Sequence, residues 1–201
     1  MVQKSQRPGA ARERLLAVAV GLFTRHGVNG TSLQMIADEL GVTKAAVYYQ
    51  FQSKDDIVWA VVAPALDRLA HVIEAAERQR RRSERIETVL SGLVDLVVDN
   101  RQLTTILQSD PAIIRLTRDQ PVLQEFEQRI TLLLVGPEPD AEALVNAAMV
   151  SGLLIMGTDS RLIGIDNDTL RHHLLGTARR ILRLRAPAPV RLENPEQPLR
   201  A

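Results

Sequence analysis

The chain has 201 residues, 45% of them hydrophobic and 24% charged, with a net charge of +1 and no cysteine. That size and balance fit one compact domain or two small ones. The lack of cysteine excludes a disulfide framework, a thiolate zinc site and a cysteine nucleophile, and fits a reducing cytoplasm.

No apolar run reaches the roughly 18 residues of a membrane span, so no membrane partner is expected. The N-terminus is basic but lacks the apolar stretch of a signal peptide. Charge is unevenly spread. Residues 1–54 carry seven basic side chains against three acids, on a chain whose net charge is +1. A basic end on an otherwise acidic chain points to a polyanion partner for that end, or to chance clustering of solvated charges.

Helical periodicity dominates throughout. Residues 1–10 form an arm expected to be basic and flexible. A first helix is predicted over 11–26, with Leu15, Leu16, Ala19, Leu22 and Phe23 on one face and Gly27 as a left-handed cap. Thr31 and Gln34 have the spacing of a capping box for a second helix, whose apolar face is Leu33, Ile36, Ala37 and Leu40. Gly41 stops it. A third helix spans Lys44 to about Gln50, with Val47 and Phe51 inward. Ser53 starts a fourth helix, expected to run to about Arg82, with Asp55 and Asp56 in its positive first turn. Pro64 lies within this helix and is expected to kink it.

Further helices are predicted at 84–100, 102–109, 121–135, 140–158 and 166–185. Pro111 and Pro121 punctuate the stretch between the second and third of these. Four of the ten prolines fall in 186–201, read as a disordered or extended Pro-rich tail. The expected fold class is all-α: three short helices forming an N-terminal unit over 11–57, then about six longer ones over 58–185.

Residues 33–51 have the layout of a helix-turn-helix: a short helix, a glycine turn needing positive φ, and a second short helix. In that motif the N-terminal residues of the second helix meet base edges in the major groove. Here those are Thr43, Lys44, Ala45 and Ala46. Alanine allows close approach and a methyl contact with thymine, and Lys44 can reach guanine or a phosphate. Spacing alone also fits any α-hairpin with a glycine turn.

The stretch GVNGTSLQMIADELGVTKAAVYYQFQSKDDI (27–57) resembles the DNA-binding domain of TetR-type transcriptional regulators. Thr31, Ser32, Ile36, Ala37, Gly41, Val42, Thr43, Val47, Tyr48, Phe51, Ser53, Lys54, Asp55 and Ile57 carry the likeness. Ala45 and Gln50 depart from it, where glycine and histidine are frequent. The resemblance implies that Thr31 and Thr43, at helix starts, bond phosphates, that Tyr48 and Lys54 contact the DNA backbone, and that Tyr49 lies at the groove beside them. The candidate DNA-contact set is therefore Thr31, Ser32, Thr43, Lys44, Ala45, Ala46, Tyr48, Tyr49 and Lys54. A core role for Tyr48, with its hydroxyl satisfied, is the other reading.

Residues 58–185 hold no catalytic motif, and no cofactor or metal is expected. His172 and His173 diverge on a helix and cannot chelate one metal in the usual i, i+4 way. His71 reads as a hydrogen-bonded core histidine. By resemblance this half binds a small-molecule effector and forms a homodimer. Candidate pocket residues are Leu66, Leu69, Leu103, Leu107, Phe126, Ile130, Met149, Leu153 and Met156, a set that also reads as plain core. Candidate dimer residues are Ala148, Gly152, Leu170, Leu174, Ala178 and Ile181; the alternative is burial of this face within the monomer.

The functional expectation is a repressor of transcription on a palindromic double-stranded DNA operator, released by its effector. Activation or co-regulation by the same kind of protein is the alternative. A helical small-molecule binder with a vestigial DNA reader is another.

Overall fold

The computed structural model describes residues 8–118 and 120–184. The N-terminal arm up to residue 7 and the Pro-rich tail lie outside the described residues. Within them the chain folds into ten α-helices: α1 (Pro8–Gly30), α2 (Leu33–Leu40), α3 (Lys44–Gln50), α4 (Lys54–Glu77), α5 (Arg82–Asp99), α6 (Arg101–Ser109), α7 (Pro111–Arg118), α8 (Pro121–Val135), α9 (Ala141–Met156) and α10 (Asn167–Ile181). A single 3-10 turn, Ser160–Leu162, sits between α9 and α10.

Boundaries differ from expectation in instructive places. The first helix starts at Pro8, inside the expected arm, and runs on to Gly30 through a break at Gly27 (φ 71, ψ 168). Gly27 is thus not a left-handed cap: its conformation is open essentially to glycine alone, and the helix resumes after it. The α2 N-cap is Ser32, not Thr31. Ser32 Oγ accepts from the Met35 amide at 3.1 Å. Position N3 is therefore Met35, which has no carboxamide to return the bond, and Gln34 instead donates to Asp38 at 2.7 Å. A complete capping box does form at α4, where Ser53 and Asp56 exchange bonds at 3.1 and 2.9 Å.

The fourth helix ends at Glu77, short of the expected Arg82, which instead opens α5. It is continuous through Pro64. An eight-residue helix, α7, fills the stretch between Pro111 and Pro121 where only punctuation was expected. Proline at a first helical position loses no intrahelical bond, so each marks a start.

Three apolar cores organise these helices. The first joins α1, α2, α3 and the start of α4 to Ile106 of α6 and Ile113 of α7. The second, with Ile73, Ile86, Val89, Phe126 and Leu133, lies between α4, α5 and α8. The third packs Leu90, Val94 and Val98 of α5 against Val150 and Leu154 of α9 and Leu170, Leu174 and Ala178 of α10.

Arg171 reinforces the third core. Its guanidinium reaches Asp95 at 2.6 Å and Asp99 at 2.9 Å on α5, and Asp99 also takes Arg68 of α4 at 3.0 Å. Shared ions of this kind lose less side-chain entropy per bond than isolated surface pairs. A second tie, Arg179 to Glu87, holds the other end of α10 on α5. No helix among the described residues is long and apolar enough to cross a membrane.

Candidate nucleic-acid interface

The first core presents α3 to solvent. Val47 is fully buried and Phe51 nearly so, and together they seat α3 on α1, α2 and α4. Gly41 makes the turn at φ 69, ψ 32, a left-handed conformation in which a Cβ is disfavoured. Its amide and that of Val42 bond back to carbonyls of α2. Thr43 then caps α3, its Oγ1 accepting from the Ala46 amide at 3.2 Å.

With Val47 and Phe51 inward, the outer surface of α3 is Thr43, Lys44, Ala45, Ala46, Tyr48 and Tyr49, all exposed. Tyr49 is 93% exposed and Tyr48 47%. So neither tyrosine is a core residue. The Lys44 ammonium lies 5.6 Å from the centroid of the Tyr48 ring, within cation–π range, one helical turn away. That contact braces the cation on the ring.

Two cap hydroxyls complete the surface. Ser32 and Thr43 each accept an amide at their own helix start. Each keeps its O–H proton to donate, since a hydroxyl is one donor and two acceptors. Ser32 is exposed and takes the place the sequence reading assigned to Thr31. Thr31 does not belong to the surface: it is 2% exposed, and its hydroxyl donates to the Gly27 carbonyl at 2.8 Å. Both residues are good caps. Only packing, which buries the threonine methyl, decides between them.

Lys54 also differs from expectation. Its ammonium donates to the Val28 carbonyl and, at 3.0 Å, to the Thr31 carbonyl, clasping the end of α1 and the link to α2 to the start of α4. Two of its three donors are thereby used and one remains. Lys54→Ala is therefore expected to lower stability in the absence of DNA by about 1.5–3 kcal/mol, the range for charged hydrogen bonds in a partly buried setting. Thermal unfolding of the DNA-free protein checks this; an unchanged Tm would show that the clasp is not structural.

Sequence reasoning missed Arg12. Its guanidinium stacks over the Phe51 ring at 4.9 Å, so a cation of α1 sits at the C-terminal end of α3. No local pattern could reveal this, because the two residues are far apart in sequence.

In the rest of the chain the proposed pocket residues do not converge. Leu66, Leu69, Phe126 and Ile130 meet in the second core, Leu103 packs on the first, and Leu153 on the third. Met149 and Met156 are exposed. The side chain of Leu107 lies outside those described. A concavity lies elsewhere, lined by Gln79, Ser83, Glu84, Glu87, Thr88, Arg183 and Leu184.

The proposed dimer residues also divide. Leu170, Leu174 and Ala178 are buried inside the monomer, and Ile181 packs on the same core, because α10 turns its broad apolar face onto α5 and α9. Ala148 and Gly152 lie on the open side of α9, beside exposed Leu144, Val145, Met149, Ile155 and Met156. His71 is exposed, its Nδ1 2.7 Å from the Asp67 carbonyl oxygen. His172 and His173 are exposed and meet edge to face at 5.4 Å.

A glycine turn, a capped second helix seated by two apolar anchors, and an outward polar and aromatic face define a helix-turn-helix protein. Residues 15–61 match the family model described as bacterial regulatory proteins, tetR family. Over those residues the chain is of TetR-family type.

Among its relatives, the HTH-type transcriptional regulator AcrR of Shigella flexneri is 46% identical over 46 residues, 23% of this chain and 21% of that protein. An HTH-type transcriptional regulator of Staphylococcus aureus strain USA300 is 27% identical over 99 residues, 49% of this chain and 54% of that protein. The chain thus spans about a fifth to a half of the length of these curated relatives.

Similar solved structures extend over more of it. A TetR/AcrR family regulator from Thermobifida fusca is 26% identical with a TM-score of 0.58, covering 86% of this chain and 97% of that one. The TetR family regulator PfmR from Thermus thermophilus shares the fold at 21% identity, with a TM-score of 0.65 over 87% of this chain and 100% of that one.

Proposed function

We propose that this protein is a homodimeric, sequence-specific DNA-binding repressor of transcription, acting in the cytoplasm and released from a palindromic operator by a small-molecule effector. The observation that carries DNA binding is the outer face of α3. Tyr49 is almost wholly exposed, and Lys44 is braced on the Tyr48 ring, on a short helix whose opposite side is locked into the core. Large exposed aromatics on a rigid helix need a partner. In this reading Ser32, Thr43, Tyr48 and Lys54 hold phosphates and set register, while Lys44, Ala45 and Ala46 meet base edges.

Residues 58–185 are the regulatory and dimerisation half in this reading. The exposed apolar side of α9 supports the homodimer, since α10 keeps its own apolar face inside the monomer. The effector would enter the second core, where Leu66, Leu69, Phe126 and Ile130 gather beside α4. A ligand wedged there tilts α4, which begins at Lys54, next to the recognition helix. Changing the spacing of the two heads lowers affinity because both half-sites must be met together.

The direct test is selection of bound duplexes from a random pool by the intact protein. A palindrome with half-sites a whole number of helical turns apart is the expected outcome. Failure to enrich any duplex would overturn the reading. On the selected site, Tyr48→Phe is expected to weaken binding about fivefold, the loss of one hydrogen bond of roughly 1 kcal/mol, with Tm unchanged. Lys44→Ala should instead change which base is preferred at one position of each half-site.

A further inference from the structure

The α6 helix is gripped at both ends. At its start, Arg101 donates to the carbonyls of Ile165 (2.9 Å) and Leu162 (2.5 Å), in the segment joining α9 to α10. Just beyond its end stands Asp110, between α6 and α7. Asp110 Oδ2 accepts the amide of Val28 at 2.6 Å, across 82 positions of sequence, and Oδ1 accepts the amide of Ala112 at 2.8 Å. On either side of Asp110, Ile106 and Ile113 are buried in the core of the reading head.

The other side of this contact is built to receive a carboxylate. Gly27 holds φ 71, ψ 168, and a Cβ there would come within 3.1 Å of Asp110 Oδ2. Only glycine combines that backbone with that approach. The neighbouring polar groups are bound as well: the Gly27 carbonyl by Thr31 Oγ1, and the Val28 carbonyl by the Lys54 ammonium. The Val28 residue is thus held between an anion from the α6–α7 elbow and a cation from the start of α4.

We propose that Asp110 is a positioning residue: a latch that fixes the reading head to the regulatory half, so that α6 links the α9–α10 connection to the end of α1. A carboxylate is required because both oxygens accept an N–H. An asparagine has one acceptor oxygen, so its NH₂ must face either the Val28 or the Ala112 amide. The latch deepens the DNA-binding reading, and its effect on operator affinity rests on that reading.

The test uses the full-length protein with Asp110→Ala and Asp110→Asn. Val89→Ala serves as the stability control, since it removes buried methyls in the second core, away from the head. Hydrogen exchange of the DNA-free protein is read at the Val28 amide. Asp110→Ala should speed it about tenfold relative to the control, as expected for a lost charged hydrogen bond, and Asp110→Asn should speed exchange at Val28 or at Ala112, whichever amide faces its NH₂.

Head orientation is read separately by spin labels. The chain has no cysteine, so Gln52→Cys with Glu127→Cys gives one defined pair per chain. The distance distribution should broaden in Asp110→Ala and stay narrow in Val89→Ala. On the selected duplex, affinity should fall about five- to tenfold at an unchanged salt slope, because no phosphate contact is removed. Wild-type exchange at Val28 in Asp110→Ala, or an unchanged distance distribution, overturns the latch. Should the wild type select no duplex, the DNA-binding reading fails, while exchange and distances still decide the latch.

Discussion

Ala148→Glu is expected to turn the proposed dimer into monomers and to weaken operator binding by at least about a hundredfold. The argument starts from α9. Leu144, Val145, Ala148, Met149, Gly152, Ile155 and Met156 recur at three- and four-residue spacing, so they share one side of the helix. The other side, Val150 and Leu154, is already buried against α5 and α10. Val145 and Met149 remain 58% and 56% exposed in the monomer. A continuous apolar stripe open to water is the mark of a surface that another chain covers.

In a two-fold interface the same stripe meets itself, and small residues such as Ala148 and Gly152 let the backbones approach. A glutamate at 148 would bury two like charges near the axis without partners. Separated monomers lose the effective concentration that joins two heads on one palindrome, a factor of about 10² to 10⁴. Sedimentation equilibrium and duplex titration check both halves of the claim. Because Ala148 is exposed, its replacement should leave unfolding of the monomer core unaffected. A dimeric Ala148→Glu protein with full affinity would move the interface off α9.

Gly92→Ala is expected to destabilise the protein by about 1–3 kcal/mol, against the usual benefit of alanine in a helix. Gly92 lies in α5 where it crosses α4. A Cβ there would overlap both methyl carbons of Val72 and stand 3.0 Å from its Cβ. Valine in a helix is held largely to one χ1 rotamer, so the methyls cannot swing aside, and the helices must separate. In a chain of this size the loss corresponds to a fall in Tm of roughly 2–12 °C. Adding Val72→Ala should recover part of it, since the smaller side chain clears the overlap. Calorimetry of the two single variants and the double variant closes the cycle. A Gly92→Ala protein as stable as wild type would mean that α4 and α5 slide freely past each other. In that case α4 could not serve as a stiff lever between core and head.

Much of the reading head was legible because its determinants are local. The Gly41 turn, the Thr43 cap, the Ser53 start of α4 and the inward pair Val47 and Phe51 follow from short-range spacing, and the structure places them as expected. The exposed face of α3 follows as the complement of that pair. The cap of α2 was misplaced by one because Thr31 and Ser32 serve equally well in isolation. Lys54, which carries part of the family likeness, said nothing of the carbonyls it clasps 23 and 26 positions away.

The C-terminal helices were less legible for a different reason. Leu170, Leu174 and Ala178 form an apolar face on α10, and periodicity shows such a face without saying what covers it. Here α5 and α9 do, which shifts the open surface to α9. The pocket residues failed likewise: shared hydrophobicity does not tell which of three cores a leucine joins. Asp110 bears on its own α7 through a bond two residues away. Its second bond, to Val28, exists only because α6 carries it across to α1.

By itself, then, the sequence determined most of the helices, the starts of α3 and α4 and the surface of α3, since hydrogen bonds and periodicity act over one or two turns. The tertiary structure decided which apolar face stays open and how the head is tied to the rest. Those outcomes depend on which distant helices meet, and no local pattern records that.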